Sequence, residues 1–183
     1  MKSILISMQA DPNYLIETHK KTLDLRKTKP IISPPFKVYI YEALGYRMKL
    51  SNVCKGRVWR GLGKVTGEFI CDDIDTVAVF NNVLYSEKNS QANKLAQLCL
   101  TIDEIKSYLG QKNHGYIWHI SDLVIYDRPK ELSEFSTPCK MRERLCGLCD
   151  YAVHGMDGDL IDCNTSLTRP PQSWCYVEER SRQ

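Results

Sequence analysis

Lys2–Ser7 alternates apolar and polar positions closely enough to predict a strand, and Asp11-Pro12 then offers an N-cap and a first-turn proline for a short helix to about His19. In Thr22–Lys27 the period of two is plain, with Leu23 and Leu25 on one side and Thr22, Asp24 and Arg26 on the other. The leucines are predicted to face a core and the charges a cleft. Three prolines make Lys29–Pro35 an extended loop leading into a strand at Phe36–Tyr41. Gly61–Gly67 has no phosphate-loop spacing and is read as bounding a strand, Lys64–Cys71. Thr101 and Glu104 form a capping-box pattern ahead of Ile105 and Leu109, and Gly110 is placed to end that helix. Aromatic strand patterns follow at Gly115–Tyr126 and Ser173–Val177. Several short strands with few helices predict an α+β chain built as a mixed β-barrel with peripheral helices.

A length of 183 residues with 43% hydrophobic content fits one domain, 1–183, with an elaboration rather than two full domains. The apolar run at Met1–Met8 is too short and wrongly flanked for a signal peptide or a membrane span, so a cytoplasmic protein is expected. Net charge is only +3, but it is segregated. Residues 1–60 hold 12 Lys+Arg against 4 Asp+Glu, and residues 61–183 hold 13 against 18. A basic first third favours an anionic partner through long-range attraction, the alternative being an ordinary solvated surface.

The eight cysteines change the picture of the C-terminal third, which holds five of them. Cys139, Cys146, Cys149 and Cys163 are spaced C-x6-C-x2-C-x13-C, and the central CxxC is a common half of a zinc knuckle. A segment at about 136–167 with few apolar residues is expected to need such a metal to fold, and structural zinc is predicted. Cys175, or His154 in a Cys3His site, is a reserve ligand; Cys54, Cys71 and Cys99 are read as free thiols. The alternative is a loose loop with unligated cysteines, ahead of a final strand at about 173–178.

The segment HKKTLDLRK, His19–Lys27, resembles the signature of ASCH domains, Gly-x-Lys-x-x-Glu-x-Arg. Lys21 and Arg26 match, His19 stands in place of the glycine, and Asp24 replaces the glutamate. The similarity extends through Gly63–Phe69, the capped helix at Thr101, Trp118–Leu123 and Thr168–Glu179. The resemblance implies a PUA-like β-barrel whose cleft receives RNA or modified bases. Lys21, Asp24 and Arg26 are the expected ligand-binding group, because arginine can fork onto a phosphate or base edge while a carboxylate orients it. Strand alternation lets Lys21 join them only if it lies in the turn before the strand. Tyr39, Tyr41 and Trp118 are candidate stacking partners for a base, or else ordinary core.

Binding of RNA or a nucleotide is the first expectation. Some ASCH proteins resemble amidohydrolases acting on an acylated cytidine, with a lysine at Lys21, a threonine at Asp24 and a glutamate near Leu98; by that likeness Lys21 and Asp24 would be catalytic. RNA cleavage recruiting Lys21, Arg26 and His19 is a further alternative, and a purely structural adaptor the last.

Overall fold

The computed structural model describes residues 3–49, 57–86, 88, 91–138, 152–154, 160–163 and 165–179. Its larger sheet runs in the order β10 (Ser121–Lys130), β6 (Lys64–Cys71), β3 (Phe36–Glu42), β1 (Ser3–Met8), β14 (Trp174–Glu179), β11 (Phe135–Ser136). The β1–β3 pair is parallel and the other neighbours are antiparallel. The smaller sheet is β2 (Leu23–Arg26), β9 (His114–His119), β7 (Ile74–Phe80), β8 (Val83–Ser86), antiparallel throughout. Two hairpins complete the strands: β4 (Gly45–Lys49) with β5 (Arg57–Gly61), and β12 (Ala152–His154) with β13 (Leu160–Cys163).

The result is a sheet-dominated α+β chain with few helices, as the pattern predicts. Among the described strands the pairing closes no single barrel: a six-stranded and a four-stranded sheet share a core, with two separate hairpins beside them. Ile4, Ile6, Val38, Ile40 and Phe69 on the larger sheet meet Trp118 of the smaller one in a shared core. Each of these is fully buried, and burying such a side chain contributes about 1.5–3 kcal/mol. The outer face of the smaller sheet, with Leu23, Leu25, Val77 and Ile117, is covered by α2 (Gln91–Leu98) and α3 (Ile102–Leu109).

Local chemistry explains most boundaries. Thr101 and Glu104 make both bonds of the capping box, and Gly110, at φ 63, ends α3 in a conformation that a side chain disfavours. The first helix, α1 (Ala10–Glu17), starts ahead of the position expected from Asp11-Pro12: Gln9 is its N-cap, and Asp11 lies buried in the first turn. Asn81 and Asn82, both at positive φ, turn β7 into β8, a hairpin the sequence reading omits together with α2. Gly115 lets the capped helix lie close to the site, since a Cβ there would stand 2.7 Å from Leu109 Cδ2 and 3.0 Å from the Arg26 carbonyl.

Candidate functional site

After α1 the chain reverses tightly. Thr18, His19, Lys20 and Lys21 donate their backbone N–H groups to Tyr14, Ile16, Leu15 and Leu15 respectively, with His19 at φ 56. Lys21 therefore lies in the turn ahead of β2, the placement its participation requires. In β2, Leu23 and Leu25 enter the apolar cluster under the helices. Asp24 and Arg26 alternate onto the opposite face, opposite Trp118 and Tyr116 of β9.

The three charged side chains meet. Arg26 Nε donates to Asp24 Oδ2 at 2.6 Å, and Lys21 Nζ stands 3.4 Å from Asp24 Oδ1. Lys21 Nζ also donates to the Leu98 carbonyl at 3.0 Å, and Arg26 Nη1 to the carbonyls of Ser173 and Ser7 at 3.0 and 3.2 Å. All three residues are at least nine-tenths buried. Burial pushes the Lys21 amine below the ordinary lysine value, against the opposing pull of Asp24. For Asp24, burial works towards a higher value, but Arg26 and then Lys21 outweigh it and hold the carboxyl below the usual aspartate range.

This group lines a cleft of about 790 Å3. One wall comes from α3, through Asp103, Glu104, Ser107 and Tyr108; Gln172 and Ser173 approach from the segment before β14. Tyr108 is 38% exposed, and Lys27 Nζ lies 5.1 Å from its ring centre. Among the described residues, the charged lining is two cations, Lys21 and Arg26, against three carboxylates, Asp24, Asp103 and Glu104. The basic cleft expected from the charge of the first third is therefore not what the lining presents, because α3 brings acidic residues from the second half of the chain. The exposed lysines Lys20, Lys27 and Lys29 lie outside the lining.

No protein-family model matches the sequence, and no curated protein matches it significantly. Solved structures do. The crystal structure of ASCH from Zymomonas mobilis superimposes with a TM-score of 0.54 at 14% identity, over 96% of this chain and 87% of that one. A point mutant of the same protein gives 0.53 at 14% identity, over 96% and 88%. The chain has an ASCH-type fold. At this identity the likeness extends to the fold alone.

Within the ASCH-type fold, the other sequence-selected residues are dispersed. Trp118 is fully buried, edge-on to Phe36 and tilted against Trp174, in the core between the sheets. Tyr39 is 4% exposed, packs edge-on against Phe135, and donates its hydroxyl to Glu179. Tyr41 belongs to the same outer cluster of the larger sheet. None of these three rings lines the cleft. Aromatic strand residues are more often core than platforms, and the packing of both sheet faces makes these three core. Tyr108 is the aromatic side chain that the cleft does present. Its position was legible one turn beyond the capping box, but its orientation depends on how α3 docks.

Cys54, Cys139, Cys146 and Cys149 lie outside the described residues, and Cys163 and His154 are placed only by their strands, β13 and β12. Cys175 packs against the outer cluster, where burial pushes its thiol to about 11. Cys71 is buried with its thiol raised to about 12, while Cys99 is half-buried and donates to the Lys20 carbonyl.

A second ionic group was absent from the sequence reading. Asp75, fully buried on β7, pairs with the buried Lys94 of α2, and His119 Nε2 lies 3.3 Å from the same carboxylate oxygen. Asp73, Asp75 and His119 have the spacing of a metal site, with donor atoms within 4.8 Å of one another. Lys94 on Asp75, and Lys88 at 2.7 Å from both oxygens of Asp73, supply the compensating charge instead. His119 also borders a smaller hollow of about 310 Å3 with Thr22 and Gln97.

Proposed function

We propose that the cleft receives a single nucleobase, carried by a nucleoside, a nucleotide or an unpaired RNA residue. The observation that carries this reading is the pre-formed Lys21–Asp24–Arg26 group lining a cleft that Tyr108 also lines. Asp24 and two backbone carbonyls hold the guanidinium, so little side-chain freedom is lost when it meets a ligand. A ring stacked on Tyr108 would gain about 1–3 kcal/mol. The acidic lining disfavours a phosphate at the floor and suits a base edge, which offers both donors and acceptors. Phosphates of a longer strand would instead meet the exposed Lys20, Lys27 and Lys29, giving a salt-dependent component.

Titration calorimetry with nucleosides and nucleoside monophosphates, and anisotropy with short unpaired RNAs, tests the reading. Arg26→Lys keeps the charge but loses the fork, and is expected to weaken binding at least about tenfold. Absence of binding to every member of that panel, or binding indifferent to both Arg26→Lys and Tyr108→Ala, would refute it.

Hydrolysis of an acylated nucleoside is a second reading, favoured by one observation. The Lys21 amine is buried, depressed in pKa, and positioned by the Leu98 carbonyl and Asp24. In its neutral form such an amine can take a proton from water attacking an amide, whose products are a carboxylate and the free base. Asp24 stands where the resemblance expects threonine, and Leu98 offers its carbonyl where a glutamate is expected nearby. Acyl release from N4-acylated cytidine, lost in Lys21→Ala, would separate turnover from binding.

For the cysteine segment the reading is structural zinc on Cys139, Cys146, Cys149 and Cys163, supported by the CxxC spacing.

A further inference from the structure

The C-terminal end of α2 grips the turn ahead of β2 at two points. Thr22 donates its backbone N–H to the Gln97 carbonyl at 3.1 Å, and Lys21 Nζ donates to the Leu98 carbonyl at 3.0 Å. Wherever α2 ends, the acceptor of Lys21 ends with it. The helix is only eight residues long, too short to hold itself in water, so its position depends on what it is fastened to.

Two kinds of attachment are present. Leu95 and Leu98 pack into the apolar cluster beneath the helix, a contact that tolerates sliding. Lys94, one turn before Leu98, is directional: its ammonium is 2% exposed and meets the fully buried Asp75. Asp75 is fixed in turn by the β7–β9 ladder, opposite Ile117, and His119 from β9 approaches the same oxygen. Replacing a buried ion pair by well-packed apolar residues is often neutral or favourable for stability, so stability alone does not account for such a pair.

From this geometry we propose that the Lys94–Asp75–His119 cluster is a strut that fixes the register of α2 and thereby places Lys21 against Leu98 and Asp24. Lys94 and Asp75 are thus positioning residues for the cleft, acting through a helix end rather than by touching a ligand. Their relevance to function rests on the nucleobase reading, but their effect on Lys21 does not, and it can be measured without any ligand. His119 lies at the solvent end of the strut, and Lys88, 3.7 Å from Asp75 Oδ1, is the other charge facing the buried carboxylate.

The test reads Lys21 directly. The rate of its acylation by acetic anhydride is followed against pH by mass spectrometry, alongside thermal unfolding, in the wild type, Lys94→Met/Asp75→Leu and Lys94→Arg. The double variant removes both charges together and avoids leaving one buried alone. The expected result is near-native unfolding with the Lys21 labelling midpoint moved upward, because a slipped α2 uncovers the amine and relieves the burial that depresses it, so that the neutral amine at a fixed pH falls about tenfold. Lys94→Arg, which keeps the pair, is expected to label as the wild type does. A merely structural pair would lower the unfolding temperature and leave the Lys21 midpoint where it was. That outcome, or a folded double variant with native labelling, overturns the proposal. If the double variant does not fold, Lys94→Gln/Asp75→Asn is read in the same way, since it nearly keeps both shapes and drops both charges. Loss of nucleobase binding with native Lys21 labelling would count against the strut, whereas a shifted midpoint in a protein that binds no nucleobase would count only against the ligand.

Discussion

Replacing Asp24 by Asn leaves the size of the side chain unchanged and removes the one negative charge between two buried cations. Arg26 Nε at 2.6 Å and Lys21 Nζ at 3.4 Å then face a neutral amide, with only the carbonyls of Ser7, Leu98 and Ser173 to receive them. Breaking a buried pair from one side costs about 3–5 kcal/mol, and the surviving carbonyls argue for the lower end, about 3 kcal/mol. For a domain of this size that corresponds to a fall of roughly 10 °C in unfolding temperature. The pH dependence gives a second handle. Arg26 and Lys21 outweigh burial and hold the Asp24 carboxyl below 3.8, so the unfolded chain takes up the proton first as pH falls. The contribution of Asp24 is therefore complete above about pH 4 and is lost as pH drops through its folded value. Lys21 behaves differently: burial depresses its value below 10.5, so its effect is a gain in stability as pH rises between the folded and unfolded values. Urea unfolding of wild type and Asp24→Asn across this range is the assay. The expected deficit is constant from neutral pH to about pH 4 and narrows below, and it is smaller in a Lys21→Met background, where only Arg26 is left uncompensated. An Asn variant as stable as the wild type at neutral pH, or a deficit unchanged by Lys21→Met, would refute the argument that this carboxylate balances two cations.

Other expectations follow from the placement of single residues. Tyr108→Ala should leave unfolding nearly unchanged yet weaken nucleoside binding by about 1–3 kcal/mol, whereas Trp118→Ala should cost about 3–5 kcal/mol of stability in a denaturant titration. Equal effects of the two on stability would contradict their different burial, Tyr108 being 38% exposed and Trp118 fully buried. Thr101→Ala should destabilise by about 1 kcal/mol through loss of the cap on α3, and hydrogen exchange should localise the change to Ile102–Leu109. Metal analysis of purified protein should find one zinc per chain, with extra reactive thiols appearing on chelation; a metal-free protein whose thiol count chelation does not alter would remove zinc from the account.

What was readable from the chain is what its local chemistry controls. The alternation of Leu23 and Leu25 against Asp24 and Arg26 needs only the two-residue period of a strand, and β6 occupies Lys64–Cys71, the strand read from its glycine-punctuated border. The Thr101–Glu104 box closes within one turn, so α3 was legible without its surroundings. Even the meeting of Lys21 with Asp24 and Arg26 was within reach, because a turn and four strand residues connect them. The eight-residue α2, whose sequence carries no Ser/Thr-x-x-Glu/Gln pattern at its start, and the β7–β8 hairpin escaped that local reading.

Only the tertiary structure could decide the rest, because it depends on neighbours far apart in sequence. The period of a strand says that Trp118 and Tyr39 point to definite faces, but not that both faces of the larger sheet are covered, which turns the two rings into core. Whether a ring presents itself to the cleft is settled by the docking of α3 over Gly115, which selects Tyr108. The same docking puts Asp103 and Glu104 on the wall of the cleft that Lys21 and Arg26 line, so the cleft itself is not basic although Lys20, Lys27 and Lys29 stay exposed outside it. The Lys94–Asp75 pair carries no sequence pattern at all: a helix and a strand nineteen positions apart become ionic partners only when α2 lies across the smaller sheet. Periodicity and capping act over a few residues, while burial and charge compensation are properties of the assembled surfaces.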